Sequence, residues 1–169
     1  KTQMTRFRQV VARVEPVAER PCRVSSPKGK CEFKLVVDER PQPPNAFQTL
    51  ARSGRPILAF TGSLIADVRN SDEIAFILSH EAAHHIRNHI PRQRQNATAG
   101  AILLARSYAN DFDLEADATG SVIAKRAGVN PVRGAAYFTR IPDPGNRFLG
   151  THPPNAQRIE TVKKTAAKF

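Results

Sequence analysis

Apolar residues near the N-terminus fall three or four positions apart, which is the spacing of one face of a helix. This pattern predicts a first amphipathic helix that Pro16 would kink or end. Its apolar positions are Phe7, Val10, Val11, Val14 and Val17.

A second helix, over residues 71–88, has the clearest predicted boundaries. Ser71 suits the N-cap position, acidic residues follow in the first turn, and Pro91 marks the end. The apolar residues Ile74, Ile77 and Leu78 define its buried face. Further helices are predicted at residues 64–68, at 99–127 with polar positions near 108–111 that allow an interruption, just after Pro131, and from 155 to the C-terminus.

Three short runs with strand character lie between residues 33 and 60. They cover residues 33–37, 46–50 and 57–60, and Gly54-Arg55-Pro56 suits a turn between the last two. The proline-rich run 40–44 cannot form a central strand. We therefore expect an α+β fold with a small, mostly antiparallel sheet packed on one central helix and other helices around it.

Composition sets wide limits on the class of protein. A chain of 169 residues that is 40% hydrophobic and 24% charged can form a single domain, which we expect over residues 1–169. Its longest apolar run, near residues 97–105, is far shorter than the roughly 18–20 residues that a membrane-spanning helix needs. The chain begins at Lys1, which leaves room for a signal peptide or an anchor upstream.

The net charge is +11, from 26 basic and 15 acidic residues, and it predicts an anionic partner such as a cell-envelope surface. Nucleic acid is disfavoured because tryptophan is absent, aromatic residues make up only 7%, and no basic run is interleaved with aromatics. Arginines at positions 87, 92, 94 and 106 are candidates for a basic rim.

The two cysteines, Cys22 and Cys31, flank a segment with Pro27 and Gly29 that suits a turn. We expect a disulfide here, and therefore an oxidising compartment: periplasmic or otherwise extracytoplasmic. Two reduced thiols in a cytosolic protein are the alternative. A zinc site built from these cysteines is disfavoured because no histidine lies near them to complete a tetrahedron.

The stretch His80-Glu81-Ala82-Ala83-His84 points to a metal site. Four residues along a helix correspond to about 400°, so the two imidazoles leave the same face one turn apart and can bind one zinc ion. Glu81 lies about 100° around the helix from His80, beside the metal rather than on it. There it can accept a proton from an attacking water.

A catalytic zinc site needs a third protein ligand. The metzincin pattern would place a histidine at position 90, where this chain has Ile90, and a glycine at Arg87. His85 and His89 are expected on other faces of the helix, in structural or supporting roles.

Carboxylates at residues 113–117 are the other source of a ligand. Asp113 and Asp117 are four apart and share a helix face, so one could bind the metal while the other orients a ligating histidine. Glu115 is an alternative ligand, although it lies about 200° around the helix from Asp113.

Four blocks of sequence, between Val36 and Ile159, resemble the HtpX-like and CAAX-prenyl-protease-like gluzincin metallopeptidases, particularly their small envelope members. The blocks are Asn45-Ala46-Phe47, His80–His84, Asp113–Gly120, and Thr151-His152-Pro153 with Arg158-Ile159. In the third block the family has E-x-E-A-D-x-x-G, whose first Glu is the third zinc ligand. The resemblance implies that Asp113, one methylene shorter, holds this place and that Asp117 supports His80.

The resemblance also implies a zincin-like fold and roles for several further residues. The edge strand that begins at Asn45, Ala46 and Phe47 would receive the substrate backbone. His152 would lie near the cleft, either stabilising an oxyanion or covering the metal as a reversible fourth ligand. Arg158 would form a salt bridge with a carboxylate near the site.

The sequence therefore predicts a zinc metalloendopeptidase with one Zn²⁺ per chain, bound by His80, His84 and Asp113, and with Glu81 as the catalytic base. The resemblance implies that its substrates are unfolded or misassembled proteins, in quality control of the cell envelope. The alternative is a protein-binding or chaperone-like module with a latent or structural zinc site. A basic nucleic-acid binder is the third hypothesis.

Overall fold

The computed structural model of the chain describes residues 2–92, 102–142 and 153–169. Its helices are α1 (Thr2–Ser25), α2 (Gly62–Asp67), α3 (Ser71–Ile86), α4 (Ile102–Arg126), α5 (Pro131–Ala135) and α6 (Asn155–Ala166), and a 3₁₀ turn spans Ala136–Thr139. Its strands are β1 (Lys34–Asp38), β2 (Ala46–Leu50) and β3 (Pro56–Thr61). The predicted α+β class is confirmed.

Helix α3 lies at the centre of the molecule, in contact with α1, α4, α5 and the sheet. Its N-cap is Asn70, not Ser71 as predicted, because the Asn70 side chain accepts a hydrogen bond from the backbone N–H of Glu73 at 3.0 Å. The predicted face of Ile74, Ile77 and Leu78 is buried, but so are most other positions along the helix. A helix enclosed in this way can hold polar side chains in fixed positions.

The end of α3 differs from the prediction of one helix to residue 88. The helix stops at Ile86 with Arg87 as its C-cap, and helical structure resumes only at His89. Asn88 follows with φ of 55°, a left-handed conformation that asparagine tolerates better than most residues. The chain therefore turns sharply before His89, well ahead of Pro91.

The sheet has the order β1-β3-β2 and is mixed, so the expectation of a mostly antiparallel sheet was wrong. β2 and β3 form the predicted antiparallel hairpin, with Phe47 opposite Ala59. β1 instead pairs with β3 in parallel, with Leu35 opposite Leu58. The reason is the proline-rich connection, which carries the chain past the position of β3 so that β2 forms on its far side.

Helix α1 continues through Pro16 and Pro21 to Ser25, so Pro16 does not end it. An interior proline costs a helix roughly 3 kcal/mol. This cost is offset by the burial of one apolar face of the helix, which extends beyond both prolines. Each fully buried large apolar side chain stabilises the fold by about 1.5–3 kcal/mol. This face consists of Phe7, Val10, Val14, Ala18 and Cys22.

Helix α4 is continuous from Ile102 to Arg126, so the interruption considered near residues 108–111 is absent. Its predicted beginning at residue 99 lies outside the described residues. Gly128, with φ of 75°, ends the segment as predicted. Within the described ranges, no helix combines the length and the apolar character needed to cross a bilayer.

Cys22 at the end of α1 and Cys31 before β1 form the predicted disulfide, with Cα atoms 5.7 Å apart. Both cysteines are buried. The bond closes the segment onto the core, and His85 of α3 contacts the carbonyl oxygen of Lys30 within it at 2.7 Å.

Replacing both cysteines with alanine should lower the free energy of unfolding by about 2–3 kcal/mol, the value expected for a loop this short. Denaturant unfolding of the variant and of the native protein checks this. In the variant, added reductant should have no further effect. Equal stability of the two proteins without reductant would contradict the structural role of the bond.

Candidate metal centre

Helices α3 and α4 come into close backbone contact at Gly120. A Cβ atom placed on Gly120 would lie 2.9 Å from the backbone nitrogen of His80 and 3.0 Å from its Cα atom. Only glycine fits at this distance without movement of backbone. The contact brings the carboxylates of α4 beside the histidines of α3.

Three donor atoms from these helices converge. The Nε2 atoms of His80 and His84 lie 3.0 Å apart, and Asp113 Oδ1 lies 3.3 Å from His84 Nε2 and 3.6 Å from His80 Nε2. A tetrahedral zinc ion with bonds of about 2.0–2.2 Å separates its ligand atoms by about 3.3–3.6 Å. Both distances to Asp113 match this range and the two imidazole nitrogens are slightly closer, so a small movement of one ring would let the three residues hold a zinc ion.

A buried ion pair of Asp117 and Arg158 lies beside Nδ1 of His80. Asp117 Oδ1 lies 2.8 Å from His80 Nδ1, and Arg158 binds both oxygens of the same carboxylate at 2.8 Å. Burial alone would raise the pKa of Asp117, but Arg158 and His80 outweigh it and hold that pKa below its usual range. The charged form therefore persists in a fully buried position and leaves His80 Nε2 directed at the donors of His84 and Asp113.

The same carboxylates act on the proton of His80. Burial lowers the pKa of this imidazole, but the charge of Asp117 and a hydrogen bond with Asp113 outweigh it and raise the pKa to about 9. In the metal-free protein at neutral pH, His80 is therefore protonated. A metal ion must displace this proton to bind.

Glu81 is nearly buried, with Oε1 3.9 Å from His80 Nε2. It faces a cavity of about 550 Å³ that also meets the start of β2. Most of the other walls are apolar, including Leu64, Ile77, Phe138 and Ile141. A carboxylate in this position lies between the predicted ligands and a space large enough for part of a substrate.

Two further contacts lead away from the other ring nitrogen of His84, first to His89 and then to Glu115. His84 Nδ1 lies 2.7 Å from His89 Nδ1, and His89 Nε2 lies 3.3 Å from Glu115 Oε2. The sharp turn at Asn88 brings His89 back to His84, so the expectation that His89 lies on a different face of a continuous helix was wrong.

Glu115 lies apart from the three converging donors, in contact with Arg87 and Arg92 at 3.1 Å each. These two arginines of the candidate basic rim are thus paired with a carboxylate. Arg94 lies outside the described residues, as do Thr151 and His152.

Strand β2 lies at one edge of the sheet formed by the described strands. Asn45 leads into it, with its backbone N–H donating to Thr61 Oγ1 at 2.9 Å, and Phe47 is about half exposed. A second cavity, of about 250 Å³, lies near the other end of the strand and is lined in part by Gln48, Leu50 and His84. The strand therefore runs between two cavities that both reach the converging donors.

Comparison with known proteins identifies the family of this chain. A model of Peptidase family M48 matches residues 4–99 and 94–166, which together cover nearly the whole chain. The chain belongs to peptidase family M48. The resemblance to HtpX-like metallopeptidases, predicted from four short motifs, is confirmed at the level of the family.

A curated relative of this M48 chain is the mitochondrial metalloendopeptidase OMA1 of Saccharomyces cerevisiae. The two are 26% identical in an alignment that covers 79% of this chain and 46% of that protein. The chain thus spans about half the length of this relative. No solved structure gives a significant match.

The structure of this M48 chain brings the three predicted ligands His80, His84 and Asp113 together, but several contacts around them were not predicted from the sequence. The direct contact of His89 with His84 was not foreseen. The close packing at Gly120 was also missed, although the family pattern ends on this glycine. The signal for it was a glycine inside a helix, which is a poor helix former and therefore indicates a packing requirement.

Substituting Gly120 with alanine should lower the free energy of unfolding by about 1–3 kcal/mol through overpacking. The loss should appear although alanine is favoured over glycine in a helix by about 1 kcal/mol. It should also weaken zinc binding, measured by competition with a chelator, because α4 must move away from His80.

Gly62→Ala is the matched control, since a Cβ there would lie an ordinary 3.6 Å from Glu39. We expect stability and zinc affinity near those of the native protein. If Gly120→Ala behaved like this control, the close contact would not position the site.

The raised pKa of His80 predicts that the metal-free protein loses stability with rising pH. The pKa in the folded state, about 9, lies above the unfolded value of about 6.5. The contribution of protonated His80 to the free energy of unfolding is therefore complete below pH 6.5 and is lost as pH rises to about 9. Denaturant unfolding in excess chelator measures the slope.

The His80→Gln variant is the control for this slope. It should have a flatter pH profile across the same range, because glutamine does not titrate. Parallel profiles for the two proteins would contradict the assignment to His80.

Proposed function

We propose that this M48 chain is a zinc metalloendopeptidase that cleaves internal peptide bonds of protein substrates. The observation that carries the proposal is the convergence of His80, His84 and Asp113 at separations of 3.0–3.6 Å, with Glu81 beside them. Membership of a peptidase family and similarity to a relative named as a metalloendopeptidase support it.

His80, His84 and Asp113 would hold one zinc ion per chain. A zinc ion held there would supply Lewis acidity, which polarises carbonyl groups and lowers the pKa of water. Glu81 then accepts the proton of the attacking water and passes a proton to the leaving amine. Asp117, fixed by Arg158, keeps His80 oriented through its Nδ1 atom during these steps.

The substrate would bind as an extended strand along the outer edge of β2. An edge strand offers unpaired backbone groups, and these give affinity without demanding a particular side-chain sequence. The segment Asn45, Ala46 and Phe47 at the start of β2 would thus lie along the substrate backbone, although both backbone groups of Asn45 itself already bond to Thr61. The apolar walls of the larger cavity, next to Glu81, favour an apolar side chain of the substrate close to the cleaved bond.

Unfolded or misassembled proteins fit this mode of binding, because they expose both extended backbone and apolar side chains. The buried disulfide Cys22–Cys31 supports an oxidising compartment, periplasmic or otherwise extracytoplasmic. The binding mode and the disulfide together support a role in protein quality control in the cell envelope. The net charge of +11 suits an anionic surface there. His152 is proposed to act near the metal, as the family motif implies.

Glu81→Gln should retain zinc and lose proteolysis by a factor of about 10² or more, because the amide cannot accept the proton. Cleavage of an unfolded protein such as casein measures the activity, and metal analysis measures the zinc. Glu160→Gln is the matched control, since Glu160 is exposed on α6 and pairs only with Lys164 among the described contacts. It should leave both quantities unchanged.

Full activity in Glu81→Gln would exclude the mechanism. A native protein that binds zinc and suppresses aggregation, yet cleaves nothing, would favour the chaperone-like module instead.

A further inference from the structure

We propose that His89 is a positioning residue for His84: it accepts the proton of His84 Nδ1 and so directs His84 Nε2 to the metal. The inference rests on the proposed zinc site and extends it to a residue outside the three ligands. It is drawn from the 2.7 Å contact between the two Nδ1 atoms.

The positions of the protons in this contact follow from the chemistry of imidazole. A neutral imidazole carries one proton, and a nitrogen that binds a metal must be free of it. His84 Nε2 faces the donors of His80 and Asp113, so the proton of His84 lies on Nδ1. His89 Nδ1 must then be the acceptor, which places the proton of His89 on Nε2.

The other side of His89 agrees with this assignment. Its Nε2 is buried and lies 3.3 Å from a carboxylate oxygen of Glu115, an electrostatic contact that falls short of hydrogen-bond geometry but favours a proton on this nitrogen. That distance is slightly longer than the usual range of about 2.7–3.2 Å, so this second contact is the weaker one. Arg87 and Arg92 hold Glu115 in place.

Packing fixes the ring of His89. The side chain is 1% exposed, and its ring stacks on Phe112 with centroids 4.5 Å apart and planes inclined by 10°. The guanidinium of Arg92 lies 4.5 Å from the centroid of the same Phe112 ring. Because these contacts immobilise the ring, His89 Nδ1 is already in position to accept from His84 in the metal-free protein.

The two histidine ligands are therefore supported by different chemistry. His80 contacts the charged carboxylate of Asp117, whereas His84 contacts a neutral imidazole. Groups that orient a metal-binding histidine typically change metal affinity by about 10–100-fold when they are removed. The loss of His89 should fall in this range.

Two substitutions at this position separate orientation from simple packing. Asparagine places an amide oxygen near the position of His89 Nδ1 and can still accept from His84. Glutamine places its amide near the position of Nε2, out of reach of His84. We expect His89→Gln to weaken zinc binding about 10–100-fold and His89→Asn to remain within about threefold of the native protein.

The measurements are zinc affinity by chelator competition and the visible absorption spectrum of the cobalt-substituted protein. The spectrum should change in His89→Gln and stay native in His89→Asn. Unfolding in excess chelator shows whether either variant has lost structure. Native zinc affinity in His89→Gln, or equal losses in both variants, would overturn the inference.

His85→Ala is the control on the neighbouring histidine, which contacts Lys30 instead of His84. It should keep native zinc affinity, and a loss as large as that of His89→Gln would count against a specific role for His89. Zinc binding without peptidase activity in the native protein would exclude only the proposed function. Absence of zinc binding in the native protein would overturn both.

Discussion

The contact between Gly120 and the backbone at His80 sets the distance on which the rest of the site depends. At this point the two helices meet without an intervening side chain. One turn away on α4, Asp117 contacts Nδ1 of His80. Two turns away, Asp113 contacts the Nε2 atoms of His80 and His84. A wider crossing would separate carboxylates from histidines by more than a hydrogen bond or a metal ion can bridge. The shorter side chain of Asp113 makes this distance more important.

The buried charges at the centre compensate one another. An isolated buried carboxylate is costly, and Asp117 is stable because Arg158 and His80 surround it. Arg158 in turn lies over the ring of Phe138, 3.9 Å from its centroid. Helix α6, which carries Arg158, is thereby tied to the metal centre. The fold and the site share these contacts, so that the same residues stabilise the structure and orient the proposed ligand His80.

The sequence predicted features that depend on neighbouring residues in one helix. It missed contacts that depend on distant parts of the chain or on an unusual backbone conformation. Two histidines four apart on a helix share a face in any fold, so the pairing of His80 and His84 could be inferred directly. The place of Asp113 came from the resemblance, since spacing alone could not choose between it and Glu115. The contact of His89 with His84 depends on the left-handed residue Asn88, and the parallel pairing of β1 depends on the path of a long connection. Neither follows from periodicity.

The central claim is that His80, His84 and Asp113 together hold one zinc ion. Zinc X-ray absorption of the purified protein, with and without the Asp113→Ala substitution, tests this most directly. We predict one zinc per chain with two imidazole ligands and oxygen ligands at about 2.0–2.2 Å, and an altered oxygen shell or loss of zinc in the variant. An unchanged spectrum and full zinc content in Asp113→Ala would contradict the account.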